Sequence, residues 1–392
     1  MNRLGLFLLG LGHFAVDINP GALPALLPIV FLDLHLSYTT AALVVTTGNV
    51  TSSIVQPLFG VLSDRLSRGW LVPLGCLLGT LGLAMAGLAP TYPLLLASVV
   101  VSSLGVAVFH PEAVRTANQF AGPRRATGMA LFTVGGNFGV ALGPILLGTF
   151  LAVGGRSGTI GWLAFAAVFP PLLYMAMRRV SAAAGPAAAK KVDLPAEPTR
   201  RGALVLLLAV IFFRQWTQTG LTTFIPLYFV TYLREPPALA NQLLSALLFG
   251  SVVGTLLGGP LADRFGRKPV LSVSLFLTVP LLLLFQRGGP GPLAPLVLFA
   301  AGAVMLSTAS VVVVMGQELL PRSTGLAAGL TIGFASGLAG LGGVLLGGVA
   351  DRFGVAETMA LVCLLPLPGA LLSLRLPDTL QRAPLVPDPK PA

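Results

Sequence analysis

The chain has 392 residues, of which 55% are hydrophobic and only 9% are charged, and its formal net charge is +11. A soluble domain carries about 25% charged residues, so this chain cannot cover a water-facing surface with polar side chains. A soluble enzyme, a secreted disulfide scaffold and a nucleic-acid binder are excluded. The positive charges stand in short clusters between apolar runs, which indicates membrane topology rather than nucleic-acid binding.

Charges, prolines and glycines divide the chain into twelve apolar segments, each near the length of about 20 residues that a membrane-spanning helix needs. We therefore predict an all-α integral membrane protein with twelve transmembrane helices and no inserted soluble domain. In chain order the predicted spans are 4–30, 38–62, 71–89, 93–114, 126–152, 159–178, 203–230, 239–261, 269–286, 293–316, 323–349 and 356–375.

The longest connection, from Arg179 to Arg201, is rich in alanine, proline and lysine, which is typical of a flexible linker. It divides the spans six and six. The predicted organisation is an N-terminal six-helix bundle at 1–179, a cytoplasmic linker at 180–201, a C-terminal six-helix bundle at 202–376 and a cytoplasmic tail at 377–392.

The lysines and arginines predict the orientation. Nineteen of the 24 fall on the side of the N-terminus, four fall on the opposite side, and Arg214 lies inside a span. Because cytoplasmic loops carry the excess of Lys and Arg, we expect a multi-pass protein of the inner (plasma) membrane with both termini in the cytoplasm.

A short string is repeated after spans 2, 8 and 11. Gly60–Arg68 reads GVLSDRLSR, Gly259–Lys268 reads GPLADRFGRK, and a third copy surrounds Asp351. The first two aspartates, Asp64 and Asp263, stand 199 positions apart, which indicates a duplicated six-helix unit. The strings resemble the G-x-L-A-D-R-x-G-R-K loop signature of the major facilitator superfamily, and the resemblance implies the major facilitator fold.

Four other strings carry a narrower resemblance. They are Gly12-His13-x-x-x-Asp17 in span 1, Phe109-His-Pro-Glu112 ending span 4, Val134-Gly-Gly-Asn-Phe-Gly139 in span 5 and Gln317-Glu-Leu-Leu-Pro321 ending span 10. In this order they resemble the fosmidomycin resistance protein family of drug efflux transporters. The resemblance implies proton-driven export and antibiotic resistance, and leaves the substrate open.

Ionisable residues inside a membrane are costly and mark functional sites. His13 and Asp17 stand four residues apart mid-span, on one helix face, and we interpret them as a proton-coupling pair. The alternative is a structural hydrogen-bonded pair. His110 and Glu112 are the next candidates for moving the proton, with helix packing as the alternative for His110.

The only cation placed inside a span is Arg214, which heads a polar stripe with Gln218 and Thr222. An always-charged guanidinium suits a phosphonate, phosphate or carboxylate of a substrate; the alternative is a counter-ion for Asp17 or another buried acid. The other candidate substrate contacts are Asn137, Asn49 and Trp216, for which helix packing is the alternative.

The superfamily resemblance also implies a cytoplasmic gate, in which acids at span ends pair with loop arginines. The expected latches join Glu112 to Arg65 or Arg68, and Glu318 to Arg264 or Arg267. The complete set of gate candidates is Asp64, Arg65, Arg68, Glu112, Arg115, Asp263, Arg264, Arg267 and Glu318.

These observations predict a proton-coupled secondary transporter that works by alternating access. We expect efflux by antiport of a small drug-like or anionic compound such as a phosphonate; uptake or exchange of an anionic metabolite such as a sugar phosphate is the alternative. Three histidines and two isolated cysteines supply no catalytic or metal-binding constellation, so we expect no enzyme activity, cofactor or metal. The expected partners are the substrate, protons and lipid, and the expected state is a monomer.

Overall fold

The computed structural model describes residues 1–66, 69–122, 125–181, 201–320, 327, 330–331 and 335–379. Within these ranges the side chains of 60–66, 125–127, 176, 178–181 and 335–336 are not described. All regular secondary structure in the described ranges is helical. Nine helical stretches of this part of the chain are long and apolar enough to cross a membrane.

The helices follow the predicted spans where the structure describes them, with breaks in two of them. Most of the first part of the predicted eleventh span, 323–334, lies outside the described residues. The predicted tenth span is broken at Ser307 and Thr308, and the twelfth is broken at Leu365, next to Pro366, which has no amide hydrogen to donate. The bounds are α1 Arg3–Asp33, α2 Tyr38–Leu66, α3 Leu71–Leu88, α4 Tyr92–Ala121, α5 Arg125–Gly154, a 3₁₀ segment Gly155–Trp162, α6 Leu163–Ser181, α7 Arg201–Leu227, a π-helical turn Tyr228–Tyr232, α8 Pro237–Phe265, α9 Arg267–Gly288, α10 Ala294–Leu306, α11 Ala309–Leu319, α12 Ala335–Phe353, α13 Val355–Leu364 and α14 Pro366–Ser373.

The repeated D-R-F-G string ends two of these helices in the same way. Gly266 follows α8 with φ 99°, and Gly354 follows α12 with φ 104°. A residue with a side chain rarely adopts this conformation, so the glycine stops the helix and lets the chain reverse into the next one. The repeat is therefore a structural turn signal in the two copies that the structure describes.

The hydrophobic core has a different organisation at the two ends of the molecule. At the end away from the chain termini, which we call the far end, one buried cluster contains residues of both halves, among them Leu27, Trp162, Phe224 and Met359. At the end that carries the termini, the described residues form two separate clusters, one around Phe109 and Phe132 of the N-terminal half and one within the C-terminal half. The halves are therefore joined at the far end.

Helices α2 and α12 form one side of this junction. The hydroxyl of Thr46 donates a hydrogen bond of 2.6 Å to the Gly340 carbonyl oxygen. Nearer the far end, a Cβ at Gly347 would lie 2.6 Å from the Cα of Thr39, so only a glycine allows the two backbones to approach this closely. On the other side of the molecule, α5 contacts α8, with the rings of Phe138 and Phe249 5.4 Å apart.

The predicted orientation can be tested with introduced cysteines, because both native cysteines, Cys76 and Cys363, are fully buried. We expect Lys190→Cys, in the linker, to react with a membrane-impermeant maleimide only after cells are permeabilised. Arg287→Cys, which is exposed beside the α9–α10 turn, should react in intact cells. The reverse pattern would contradict the charge-based topology.

Candidate functional site

Three ionisable side chains meet inside the N-terminal half; we call them the Asp17 cluster. Helix α1 places His13 one turn before Asp17, and His13 Nε2 lies 3.0 Å from Asp17 Oδ2. From α4, His110 Nε2 lies 3.2 Å from the other oxygen, Asp17 Oδ1. The structure thus brings His13 and Asp17 into contact, as their spacing predicts, and shows that His110 is the second partner of the same carboxylate.

The other ring nitrogen of each histidine faces a backbone carbonyl. His13 Nδ1 lies 2.9 Å from the Phe132 oxygen on α5, and His110 Nδ1 lies 2.8 Å from the Val106 oxygen one turn earlier on α4. The His13 ring also stacks on Phe132, with centroids 4.1 Å apart. A Cβ at Gly136 would overlap the His13 ring at 2.4 Å, so the glycines of α5 leave the room that this ring occupies.

The same three residues each offer one ligand atom, and these atoms lie within 4.8 Å of one another. This spacing would suit a divalent metal ion as well as protons, since two imidazoles and a carboxylate are ordinary transition-metal ligands. The sequence-based expectation of no metal stays a prediction.

Arg214 lies on α7, the helix of the second half that corresponds to α1. The residue is 4% exposed, and its Nε and Nη1 atoms have no hydrogen-bond partner among the described residues. The proposed alternative, a counter-ion for Asp17, is not realised in this structure, because the ion-pair partners of Asp17 are His13 and His110. Buried donor atoms without acceptors are costly, and an anion could supply acceptors for these two nitrogen atoms.

A cavity of about 260 Å³ lies between the two halves, where α2 and α5 face α7 and α8. Of the predicted substrate contacts, Gln218 and Asn49 line it, and Thr222 of the Arg214 stripe lines it too. The complete lining is Asn49, Ser52, Ser53, Val140, Gln215, Gln218, Thr219, Thr222 and Leu248.

Sequence reasoning missed Gln215 and Thr219 as cavity residues. The signal was available, since Gln215, Gln218, Thr219 and Thr222 stand at intervals of three and four and so share one face of α7. Arg214, one residue before Gln215, is buried and is not part of this lining.

The remaining predicted contacts do not line this cavity. Trp216 packs within the C-terminal half, with its ring 5.2 Å from that of Phe212 and its indole nitrogen directly against Gly342 of α12. In this structure Trp216 therefore has the surroundings expected for helix packing, the alternative to substrate contact. Asn137 is half-buried on α5.

A smaller void of about 50 Å³ lies inside the N-terminal half, with room for a few water molecules. Asn49 and Ser52 border both this void and the central cavity. Val106, whose carbonyl faces His110 Nδ1, also borders it. The two spaces therefore lie on either side of Asn49 and Ser52, and the smaller one reaches Val106 one turn before His110.

At the end with the termini, two of the expected gate acids are paired with arginines. Glu318 contacts Arg267, which is one of its two expected partners. Glu112 contacts Arg115 of its own helix. Arg264 lies over the ring of Phe265, 5.2 Å from its centroid, and Asp263 is exposed. Asp64, Arg65 and Arg68 lie outside the part of the chain whose side chains are described.

The far end carries a polar contact between the two halves that the sequence did not predict. Asp351, the aspartate of the third repeat, accepts hydrogen bonds from the backbone amides of Tyr38 at 2.6 Å and Thr39 at 3.0 Å. These amides begin α2, so a residue of the second half caps a helix of the first. The Tyr38 hydroxyl also lies 2.9 Å from the hydroxyl of Thr231.

Asp351 lies beyond the predicted eleventh span. Although partial burial opposes ionisation, the hydrogen bonds from Thr39 and Tyr38 lower the pKa of the Asp351 carboxyl below its ordinary value. A carboxylate with a lowered pKa stabilises the contact above its ordinary pKa and loses this effect only as the pH falls through the lowered value. The cap therefore stays ionised between about pH 5 and pH 8.

An all-helical membrane fold with a cavity between two halves is typical of secondary transporters. The comparisons with known proteins agree. The sequence profile described as Major Facilitator Superfamily matches residues 6–285 and 207–385, and the chain belongs to this superfamily. The predicted fold class is thereby confirmed, and the chain is a multi-pass membrane transporter rather than an enzyme.

Two relatives and one solved structure of similar fold illustrate the match. The uncharacterized MFS-type transporter YfnC of Bacillus subtilis is 34% identical over 374 residues, which cover 93% of this chain and 91% of the relative. The fosmidomycin resistance protein of Escherichia coli is 30% identical over 378 residues, covering 94% and 92%. The crystal structure of a bacterial homolog of the human lysosomal transporter Spinster, inward-facing and occupied, superposes with a TM-score of 0.77 at 15% identity, covering 94% of this chain and 95% of that one.

Removing the Asp351 cap should favour opening of the far end. We expect Asp351→Ala to cost the closed form about 1 kcal/mol, the typical worth of a helix cap, and so to raise the open-to-closed ratio about fivefold. Spin labels on the exposed residues Val153 and Leu293, one in each half, would report the distance across this end.

The matched control is Asp33→Ala. Asp33 is a carboxylate of the same end whose partner, Arg156 at 3.7 Å, belongs to its own half, so its loss should leave the distance distribution unchanged. Equal effects of the two substitutions would contradict the role of Asp351.

Proposed function

We propose that this protein is a proton-coupled antiporter that exports a small drug-like or anionic compound, such as a phosphonate, by alternating access. The observation that carries the proposal is a carboxylate held between two imidazoles inside a membrane-embedded half. Asp17, His13 and His110 are all groups that can exchange protons. The 30% identity to the fosmidomycin resistance protein supports export of a drug-like compound.

Arg214 and the face of α7 next to it supply the substrate side of the proposal. Arg214 is 4% exposed, and two of its nitrogen atoms have no acceptor among the described residues. Gln215, the next residue of α7, and Gln218, one turn further on, offer amide groups on the cavity wall. We propose that the anionic part of the substrate pairs with Arg214, while Gln218, Asn49 and Asn137 contact its other polar groups.

In this proposal the protein is a monomer of the inner membrane with both termini in the cytoplasm, so the described state, joined at the far end, is the inward-open one. The substrate enters from the cytoplasm, and protons reach Asp17 and His13 when the far end opens. His110 and Glu112 continue the proton route, and the charged gate residues stabilise closure of the cytoplasmic end. The second candidate, uptake or exchange of an anionic metabolite such as a sugar phosphate, is supported by the same unpaired guanidinium.

Asp17→Asn should separate coupling from binding. An amide of the same shape cannot lose or gain the coupling proton, so accumulation driven by a pH gradient in proteoliposomes should fall at least about tenfold. Exchange of labelled for unlabelled compound at equal pH should persist, since it needs no net proton movement. Fosmidomycin is the first compound to test, in a panel with sugar phosphates.

Asp33→Asn provides the control, since Asp33 is a half-exposed carboxylate outside the cluster. It should leave both assays unchanged. If Asp17→Asn still concentrates the compound under a pH difference, Asp17 is not the proton carrier. Accumulation of sugar phosphates rather than fosmidomycin would favour the second candidate.

Arg214→Gln should weaken binding of an anionic substrate about tenfold or more, because a hydrogen bond to a charged group is worth about 1.5–3 kcal/mol. The same substitution should keep or raise the thermal stability of the ligand-free protein, since it removes a buried charge that has no partner. Binding can be measured by calorimetry and stability by thermal unfolding in detergent.

Arg287→Gln is the matched control, an exposed arginine that should affect neither measurement. The structural alternative, in which Arg214 is a counter-ion, makes the opposite prediction: substitution would then lower the stability. Equal affinity of Arg214→Gln and wild type for every anion in the panel would remove Arg214 from the binding site.

A further inference from the structure

We propose that the Asp17 cluster binds two exchangeable protons at once, so that two protons, rather than one, drive each transport cycle. The inference rests on the proposed function, in which protons are the ions that drive transport. The proton count itself follows from the hydrogen-bond geometry of three side chains.

Two backbone carbonyls fix the tautomers of the histidines. His13 Nδ1 faces the Phe132 carbonyl oxygen at 2.9 Å, and His110 Nδ1 faces the Val106 carbonyl oxygen at 2.8 Å. A carbonyl oxygen can only accept a hydrogen bond, so each Nδ1 atom must carry a hydrogen and donate it. In a neutral histidine, the Nε2 atom then has a lone pair and no hydrogen.

The contacts of the two histidines with Asp17 determine the number of protons. Each Nε2 atom contacts a different carboxylate oxygen, at 3.0 Å for His13 and 3.2 Å for His110. Without a proton, each contact would set a nitrogen lone pair against an oxygen lone pair. One proton can occupy only one of the two contacts, because they involve different oxygens. Two protons make both contacts hydrogen bonds, and the cluster then changes from a net charge of −1 to +1.

Among the described residues, no other group near Asp17 could supply the positive charge of these two protons. On α4, Glu112 follows His110 and pairs with Arg115; α3 contributes Cys76 to the nearby hydrophobic cluster. α5 contributes the Phe132 carbonyl and Gly136. On α6, Tyr174 is 48% exposed, and on α7, Arg214 forms no ion pair with Asp17. Among the described side chains, His13 and His110 are therefore the cations that face this carboxylate.

The two histidines differ in access to water. The His13 side chain is 9% exposed and stacks on Phe132, whereas the His110 side chain is 23% exposed. His110 is therefore the site where a proton enters or leaves first, and His13 holds the inner proton. Because both protons share one carboxylate, their titrations are coupled and belong to the cluster as a whole.

The number of protons sets how far transport can proceed. With no membrane potential, a pH difference of one unit balances a substrate ratio of about tenfold for one proton and about a hundredfold for two, since each proton contributes about 1.36 kcal/mol per unit. A cluster that cycles between −1 and +1 also moves two charges.

The number of protons bound by the Asp17 cluster can be measured by spectroscopy, because the chain contains only three histidines. We suggest nitrogen NMR of the full-length protein in nanodiscs, labelled with ¹⁵N-histidine in chelated, metal-free buffer. The shifts distinguish imidazolium from the neutral Nδ1–H form, and infrared difference spectra report a protonated Asp17. His35→Gln removes the signal of the exposed third histidine without changing the cluster.

We expect imidazolium plus protonated carboxyl signals to total two per molecule at low pH. At high pH this total should fall to zero, and both histidines should then show the neutral Nδ1–H form. His110→Gln and His13→Gln should each lower the total to one, and either variant suffices if the other does not fold. A total of one in the wild type overturns the inference. So does a stoichiometric metal ion that persists through chelation with both histidines neutral.

Transport under a pH gradient in proteoliposomes separates this inference from the proposed function. If the imidazolium and protonated carboxyl signals total two per molecule and no pH gradient drives transport, the proposed function fails and the two-proton site stands. If a pH gradient drives transport with a total of one, the inference fails and the proposed function stands.

Discussion

A charge placed inside a membrane-embedded bundle needs a partner, and the two central charges of this protein meet that requirement differently. Asp17 is held by two histidines, each of which is fixed by a backbone carbonyl. Arg214, on the corresponding helix of the other half, has two nitrogen atoms without an acceptor in the described part of the chain. The carboxylate thus finds its partners within the protein, whereas the guanidinium leaves donor atoms for a ligand. This difference is why we propose Asp17 for proton binding and Arg214 for substrate binding.

The connection between the halves explains how such sites can be exposed in turn. One shared hydrophobic cluster joins the halves at the far end, while separate clusters occupy the other end in the described residues. Separate clusters let each half keep its own core when the halves rotate. Opening the far end must separate the part of this shared cluster that lies between the halves, together with the polar contact at its edge, where Asp351 caps α2. Rocking of the two halves leaves the separate core of each half intact.

Much of this arrangement was predictable from the sequence, because local rules decide it. Uncharged runs predicted the helices, and a spacing of four predicted that His13 meets Asp17. What the sequence could not determine depends on which helices become neighbours. The contact of His110 with Asp17 requires α4 to pack against α1, and the cap of Asp351 on α2 joins residues 313 positions apart. Arg214 illustrates the same limit, since its position inside a span suggested Asp17 as a partner and the fold separated them.

That separation constrains how proton and substrate can be coupled. Asp17 and Arg214 form no ion pair with each other. In this state a substrate anion therefore does not have to displace Asp17 from Arg214. Helix α2 instead connects the elements: Asn49 and Ser52 border both the central cavity and the void that leads to Val106 beside His110. The same helix is capped by Asp351 and bonded through Thr46 to Gly340. Opening the far end must release both contacts of α2, and a shift of this helix would move Asn49 and Ser52, which separate the central cavity from the void beside Val106.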